Sequence, residues 1–281
     1  MDLYSTASFK VARHITKAYS TSFSSATRLI SAAERKHIYN IYGLVRVADE
    51  IVDTYHGKDA GLLLSEFEEE TYQAIKRGYS TNIIIHAFSE TARTYGITKK
   101  LLAPFFQSMR FDLEPVKNIT ERQYKDYIYG SAEVVGLMCL TVYCGNDKKL
   151  LKQLTPGARK LGSAFQKVNF LRDIADDTKR LGRHYFPDVS SRLTEADKQA
   201  VIPDIESDFN DAYQAALSLP RSSRTAVFVA YRYYRALLKK LNSTPIEKIS
   251  EERIRVSNIR KALIILSAIV TTPLLPRPED V

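Results

Sequence analysis

Apolar residues recur along this chain with the three-to-four-residue period of amphipathic helices, and sustained strand-like alternation is hard to find. The pattern predicts an all-α fold. The predicted helices cover 6–18, 32–55, 60–77, 81–94, 98–112, 121–143, 147–177, 206–218, 221–241 and 250–270. Because no repeat, low-complexity tract or linker interrupts this pattern, we expect residues 1–281 to form a single domain.

Glycine and proline indicate where several of these helices begin or end. Gly78 and Gly96 are expected to end two short helices. Pro203 and Pro220 are expected at helix starts, where the missing N–H group costs little. Pro156 suggests that the long helix of 147–177 begins only near residue 158.

Two of the predicted helices carry aspartates at the same four-residue spacing. Asp49 and Asp53 lie on the first of them, and Asp173 and Asp177 on the second. Residues four apart are neighbours on a helix surface, so each helix presents two carboxylates on one face. Two such faces turned toward each other would form a cage of oxygen ligands, and Mg²⁺ in proteins sits between a few carboxylates and substrate phosphates. The spacing therefore indicates ionisation of a diphosphate ester.

On a helical projection both motifs extend into longer polar strips, and the remaining circumference is mainly apolar. The first strip consists of Tyr42, Arg46, Asp49 and Asp53. The second strip consists of Gln166, Asn169, Asp173, Asp176 and Asp177. For either strip alone, a solvated face with intrahelical ion pairs, such as Arg46 with Asp49 or Glu50, is the commoner explanation. The two strips together favour a site.

Composition narrows the class of protein further. Hydrophobic residues make up 44% of the chain, enough for a core, and the net charge is +9. The cations are interspersed with acids, so a nucleic-acid patch is not favoured. Cys139 and Cys144 provide neither a disulfide framework nor a zinc motif. The polar start and the short apolar run at 262–270 predict a cytoplasmic protein, and a peripheral contact with the inner face of the membrane is compatible with both.

The motifs resemble those of the squalene/phytoene synthase family, and most closely those of bacterial phytoene synthases. The two main elements are Y-x-x-x-R-x-x-D-x-x-x-D from Tyr42 to Asp53 and Q-x-x-N-x-x-R-D-x-x-x-D from Gln166 to Asp177. The further matching segments are Ser20–Phe23, Tyr127–Gly136 and Gly182–Pro187. Order and spacing match over about residues 10–260.

This resemblance implies an all-α isoprenoid-synthase bundle around a central cavity, in which two prenyl diphosphates are joined head to head. It implies that Mg²⁺, with Mn²⁺ as a substitute, is held by Asp49, Asp53, Asn169, Asp173 and Asp177. It implies that the substrate is bound by Ser20, Ser22, Phe23, Tyr42, Arg46, Gln166 and Arg172. Arg46 and Tyr127 join the five metal ligands in the implied catalytic set.

The implied product is phytoene, formed from two geranylgeranyl diphosphates through a cyclopropyl diphosphate without NADPH. The alternatives are a C30 synthase making dehydrosqualene or squalene, and a class I terpene cyclase, because Asn169, Asp173 and Asp177 have the spacing that such cyclases use. A rival from another class is a non-enzymatic, basic helical protein that binds anionic membranes.

Three charged residues outside the main motifs carry weaker expectations. Asp112 is expected to end a helix or to pair with Arg110, although a cavity role is open. Glu133, which lies in an apolar helix, requires a partner or an exposed position. Arg253 lies in a basic segment that weakly resembles a diphosphate-binding element, and a surface role is slightly preferred for it.

Overall fold

The computed structural model describes residues 2–114, 119–177, 183, 185–187 and 193–275. The described part of the chain is helical and contains no strand, which confirms the predicted all-α class. The helices of the first half are α1 (Leu3–Tyr19), α2 (Thr21–Thr27), α3 (Ala32–Asp53), α4 (Ala60–Arg77), α5 (Ile83–Tyr95), α6 (Lys99–Leu113), α7 (Glu121–Ile128) and α8 (Val134–Cys144). Those of the second half are α9 (Lys148–Asp176), α10 (Glu195–Leu217), α11 (Arg221–Asn242), α12 (Ile246–Ile249) and α13 (Asn258–Thr271).

The two acidic helices belong to different parts of the hydrophobic core. On α3, Ile38, Ile41 and Leu44 are buried in a cluster with residues of α4, α5, α6 and α8. On α9, Val168 and Leu171 are buried in a second cluster with residues of α7, α10 and α11. Each helix therefore uses its apolar circumference for packing, and its acidic strip is left on the remaining face.

A continuous helical stretch joins the two clusters. A π-helical turn, Tyr129–Glu133, connects α7 to α8. Glycine permits close approach on both sides: a Cβ at Gly130 would lie 2.2 Å from the Pro104 carbonyl oxygen of α6, and one at Gly162 of α9 would lie 2.9 Å from the Ala132 carbonyl oxygen. Small residues at these crossings thus allow the stretch to lie between α6 and α9.

The same stretch has the length and composition of a membrane-spanning helix. Its most apolar window within Glu121–Cys144 has a mean hydropathy of 1.3, but 56% of that window is buried inside the fold. A core helix of a globular domain passes the same compositional test.

Glu133, which was expected to need a partner or an exposed position, has a partner, because Arg159 Nε lies 2.6 Å from its carboxylate.

Two predictions about proline were wrong. Pro156 lies inside α9, which begins at Lys148, and Pro203 lies inside α10, which begins at Glu195 rather than at residue 206. A proline costs a helix one hydrogen bond, but α9 and α10 pack along each other extensively, and this tertiary contact outweighs the loss. The start of α10 carries a capping box between Thr194 and Asp197, a local signal that the prediction overlooked.

Other boundaries follow from local chemistry. Gly78 and Gly96 do end helices, with the positive φ angles of +80° and +71° that glycine tolerates, and Pro220 is the N-cap residue of α11. The last predicted helix begins at Asn258 rather than at residue 250, because Ser257 caps it there. The sequence prediction missed α2, which follows α1 directly because Ser20 ends one helix and caps the next.

Candidate active site

The first acidic strip is partly neutralised along its own helix. Arg46 Nη1 lies 3.9 Å from Asp49 Oδ2, and Arg46 forms a closer ion pair with Glu50. Its guanidinium also lies 4.4 Å from the centre of the Tyr19 ring, a cation–π contact. The intrahelical ion pairs that would be expected of an ordinary solvated face are therefore present. They leave Asp53, one turn further along, to a partner from elsewhere in the chain.

That partner is Arg183, which links both acidic motifs. Its Nη1 donates to Asp53 Oδ1 at 2.6 Å, and its backbone N–H donates to the carbonyl oxygen of Asp177 at 2.9 Å. Its Nη2 donates to the carbonyl oxygens of Val52 and Asp112 at 3.0 and 2.9 Å. The side chain is only 8% exposed. One buried arginine thus holds the carboxyl ends of α3, α6 and α9 together, and the two strips converge.

Two arginines neutralise the second strip at Asp173. Arg172 Nε donates to Asp173 Oδ1 at 2.8 Å, and Arg253 Nε lies 2.8 Å from the same oxygen. Arg253 is exposed, as the sequence slightly favoured, and it also pairs with Asp173. One turn earlier, the Tyr234 hydroxyl of α11 donates to Asn169 Oδ1 at 3.2 Å. The strip is bordered by α11 and by the segment before α13.

Asp49 and Asp177 are the strip carboxylates whose pKa values are raised. Burial, followed by repulsion from Asp53, raises the pKa of Asp49 to about 7. Burial, followed by repulsion from Asp173, raises the pKa of Asp177 to about 7, and the charge of Asp53 in the other motif adds to that shift. Yet 31% of the Asp49 side chain remains exposed. The charged form of this carboxylate is therefore destabilised, and the group is still open to a ligand from outside the fold.

A buried polar cluster adjoins the strips. Asp112 accepts hydrogen bonds from the hydroxyls of Tyr127 and Tyr185 at 2.8 and 2.7 Å. Burial raises the pKa of Asp112 to about 6, although Arg183 and both tyrosines lower it. The expected pairing with Arg110 was wrong, because Arg110 pairs with Glu68. The sequence does indicate that Asp112 is buried, because it continues the helical spacing of the buried residues on the apolar face of α6.

The Ser20–Phe23 element lies beside the first strip. The Ser20 hydroxyl accepts from the backbone N–H of Phe23 at 3.2 Å and thereby caps α2. The Phe23 ring stacks on Tyr42 with centroids 5.0 Å apart. Burial raises the pKa of Tyr42, and charges at Arg46, Asp49 and Tyr234 also act on it. The structure thus brings Phe23 and Tyr42 together across from α11.

The other predicted site residues are Ser22, Gln166, Tyr127 and Arg172. Ser22 on α2 and Gln166 on α9 are both half-buried. Tyr127, expected beside the reacting carbons, is buried and points its hydroxyl at Asp112. Arg172, expected at a diphosphate, has its guanidinium against Asp173. In the segment 182–187, residues 182 and 184 lie outside the described residues.

The expected metal ligands do not form a preorganised cation site among the described residues. Within the described ranges, no group of three or more His, Cys, Asp or Glu side chains is close enough to hold a metal ion. The cage suggested by the spacing is therefore not preformed there. The donors are nonetheless hard oxygens on converging strips, which suits Mg²⁺ ions that complete their coordination with water and substrate phosphates. The assignment of individual ligands stays a prediction.

A second polar cluster lies on another face of α9, about 120° around the helix from the acidic strip. Lys160, Ser163 and Lys167 each donate to the Asp208 carboxylate of α10, at 2.6 to 2.7 Å. Burial alone would raise the pKa of Asp208, but these hydrogen bonds outweigh it and lower the pKa. A hollow of about 970 Å³ adjoins this cluster, and none of the predicted site residues lines it.

The chain is similar in sequence to known proteins. The squalene/phytoene synthase family model matches residues 16–260, most of the chain. A phytoene synthase of Pseudescherichia vulneris is 30% identical over 177 residues, which cover 60% of this chain and 56% of that protein. A 4,4'-diapophytoene synthase of Staphylococcus haemolyticus is 26% identical over 188 residues, covering 66% of this chain and 64% of that protein. The chain thus matches less than two thirds of the length of either relative.

A solved structure is similar over nearly the whole fold. The crystal structure of a dehydrosqualene synthase in complex with a ligand superposes with a TM-score of 0.82. The alignment covers 96% of this chain and 98% of that one, at 19% sequence identity. Similarity at this identity supports the helical fold, and the product has to be argued separately.

Proposed function

Because the chain belongs to the squalene/phytoene synthase family, whose members are prenyltransferases, we propose that it joins two geranylgeranyl diphosphates head to head. The product would be phytoene, formed through a cyclopropyl diphosphate. The observation that carries the proposal is the convergence of two acidic strips, which Arg183 ties together and in which burial raises the pKa of Asp49.

The acidic strips fit the recognition of a diphosphate through divalent cations. Asp49, Asp53, Asn169, Asp173 and Asp177 would hold Mg²⁺, which when bound supplies Lewis-acid neutralisation of the leaving diphosphate. Arg46, Arg172 and Arg253 lie against these carboxylates, with side chains 15 to 42% exposed. Their guanidinium groups are therefore within reach of an anion bound between the strips, and planar guanidinium matches phosphate oxygens well.

Stacked aromatic side chains near the acidic strips suit an allylic carbocation. Phe170 and Tyr185 stack with centroids 4.5 Å apart, and Phe165 and Tyr234 stack at 4.0 Å. Aromatic faces stabilise a cation without trapping it as a covalent adduct. An apolar lining also excludes the water that would capture the cation. Attack by the double bond of the second substrate on this cation forms the new carbon–carbon bond, and loss of a proton closes the cyclopropane ring. Ionisation of the second diphosphate and rearrangement then give a second cation, and loss of a proton from it leaves a linear hydrocarbon without a reductant.

A C30 synthase is the second candidate, and it is favoured by the diapophytoene synthase relative at 26% identity. The discriminating experiment supplies the purified protein with C15 and C20 diphosphates, with Mg²⁺, with and without NADPH. Hydrocarbons are identified by mass spectrometry. We expect a C40 hydrocarbon from the C20 substrate without NADPH, and no product when EDTA replaces Mg²⁺.

Each other outcome is informative. A C30 hydrocarbon from the C15 substrate alone would correct the chain length, and a requirement for NADPH would indicate a reductive second step. A cyclic C20 product would support a terpene cyclase. No hydrocarbon from either substrate would overturn the proposed function.

A further inference from the structure

Helix α13 presents apolar side chains to the outside of the fold. Its large exposed residues, with the fraction exposed, are Ile259 (77%), Leu263 (60%), Leu266 (60%), Ile269 (42%) and Val270 (65%), and Leu274 (78%) follows in the next turn. Within the helix only Ala268 is buried. No other helix in the described part of the chain exposes as many large aliphatic side chains.

These side chains form one face. Projected at 100° per residue, Ile259, Leu263, Leu266 and Val270 fall within roughly 60° of arc. The opposite side rests on α11. Arg232 of α11 fixes this orientation by donating to the hydroxyls of Ser267 and Thr271 at 3.1 and 2.7 Å. The helix is therefore anchored with its aliphatic strip directed outward, which is the reverse of a helix that packs its apolar face into a core.

The charged residues of α13 and of the segment 253–257 before it are all cations, and the two residues that precede this segment, Glu251 and Glu252, are exposed acids. From Arg253 to Leu275 the chain contains Arg253, Arg255, Arg260 and Lys261 but no aspartate or glutamate. Arg260 lies at the edge of the strip and is exposed, and Arg255 is exposed just before the helix. An aliphatic strip flanked by cations is complementary to a surface that is apolar inside and anionic outside.

We infer that α13 docks on the surface of an anionic lipid bilayer, with the strip Ile259–Leu263–Leu266–Val270 inserted at the boundary of headgroups and acyl chains. The helix has 14 residues, fewer than the roughly 20 needed to span a bilayer, so it lies in the plane of the interface. The strip offers only aliphatic groups and no hydrogen-bonding partner, which suits acyl chains.

The docking face is continuous with the candidate active site. Arg253, five residues before α13, lies against Asp173. Helix α11, on which α13 rests, carries Tyr234 beside Asn169. A bilayer held at α13 would therefore lie next to the elements that border the second acidic strip. Lipid substrates of the proposed function would have a short route from the membrane, but the docking inference itself does not depend on that activity.

The test is flotation of the full chain with vesicles in a density gradient, since it requires neither substrate nor turnover. Vesicles of equimolar phosphatidylcholine and phosphatidylglycerol should carry the protein upward at low salt, and pure phosphatidylcholine should carry much less. Leu263→Asn/Leu266→Asn should lower the partition coefficient at least about tenfold. The matched control is Leu62→Asn on α4, where the leucine is 61% exposed; it should not change partitioning.

The charge contribution is tested in the same assay. Arg255→Gln/Arg260→Gln should lower partitioning into the anionic vesicles by roughly fivefold for each charge removed. Lys149→Gln/Lys152→Gln, which removes the same charge from exposed positions on α9, is the control and should have little effect. Thermal unfolding followed by circular dichroism checks that each variant is folded.

Three results would overturn the inference. The first is the absence of flotation with either vesicle at low salt. The second is an equal loss of binding in the control variants, which would mean general electrostatic attraction. The third is a dimer, seen by analytical ultracentrifugation without lipid, that Leu263→Asn/Leu266→Asn dissociates. In that case the strip is a contact between two copies of the chain. Loss of enzymatic activity with flotation intact would affect the proposed function alone.

Discussion

Helix α9 carries buried polar clusters on two different faces, and they differ in their charge balance. On the face toward α10, Asp208 receives hydrogen bonds from Lys160, Ser163 and Lys167, and its pKa is lowered. On the face toward α3, among the residues that the structure describes, no side chain donates a hydrogen bond to the Asp177 carboxylate, and its pKa is raised to about 7.

The difference separates a structural cluster from a candidate site. The α10-facing cluster satisfies its buried carboxylate with groups from within the fold, so nothing further has to bind there. The α3-facing cluster collects more negative charge than its arginines neutralise, and it costs free energy in the metal-free protein. Such an arrangement persists where an added cation or substrate completes it. Four predictions test this comparison.

The largest effect is expected from removing one carboxylate of each strip. Asp49→Ala/Asp173→Ala should lower the rate of hydrocarbon formation by about a thousandfold or more, because the proposed cation sites lose a ligand on both sides. The protein should remain folded in EDTA, because the relief of like-charge repulsion offsets the loss of the Asp173 ion pairs with Arg172 and Arg253. Asp59→Ala/Asp126→Ala, which removes two exposed carboxylates, is the control. A double variant that keeps its rate would show that the strips are ordinary ion-pair surfaces.

On the other face of α9 the expected effect is on stability. Lys167→Met leaves the buried Asp208 carboxylate with one cation fewer and should cost about 2–4 kcal/mol of unfolding free energy. Urea denaturation measures it, with Lys152→Met at an exposed position of the same helix as the control. The rate per folded molecule should change far less than in the strip variant. If stability is unchanged, the α10-facing cluster is not the structural element that its hydrogen bonds indicate.

A third prediction concerns pH. The pKa of Asp49 is about 7 in the folded protein against an ordinary value of 3.8. A raised folded-state pKa favours folding in acid, so this contribution is lost as pH rises from about 4 to about 7. Asp49→Asn should therefore flatten the stability profile of the metal-free protein across that window. At pH 8 it should add about 1–2 kcal/mol, after allowance for solvent screening.

The stability of the metal-free protein is measured by thermal unfolding in EDTA across this pH range. Asp208→Asn is the contrasting variant: its pKa is lowered, so that substitution should destabilise the protein at neutral pH. Equal responses of the two variants would contradict the proposed difference between the faces.

The smallest effect is expected at Arg253. Its side chain is 42% exposed, so Arg253→Gln should change the unfolding free energy by no more than about 0.5 kcal/mol. It should also remove one of the two arginines bonded to Asp173 Oδ1 and raise the affinity for Mg²⁺ without substrate by roughly twofold to fivefold. Isothermal calorimetry is the assay. A lowered affinity would mean that Arg253 positions Asp173 instead of competing for it.

Much of the site could be predicted from local patterns. The paired aspartates follow from a helix period of 3.6 residues, and the apolar circumference of α3 and α9 follows from the same periodicity. The helix ends at Gly78 and Gly96 are equally local, because each requires a positive φ. Such features depend on residues within a few positions of one another, so the sequence alone suffices to place them.

Other parts depended on contacts that no local pattern encodes. Asp112 was expected beside Arg110, but tertiary packing turns it toward two tyrosines from other segments. Pro156 and Pro203 were read as helix starts, yet packing between α9 and α10 keeps both inside helices. In each case a contact distant in sequence outweighs a local preference of a few kcal/mol.

The amino-acid sequence by itself determined that this chain is helical, that it carries two acidic strips, and that its motifs are those of a diphosphate-using family. Only the tertiary structure decided that Arg183 joins those strips, that Arg253 reaches Asp173, and that α13 turns its aliphatic face outward. The reason is physical. Periodicity fixes which face of a helix a residue occupies, but what that face meets is set by the packing of all the other helices.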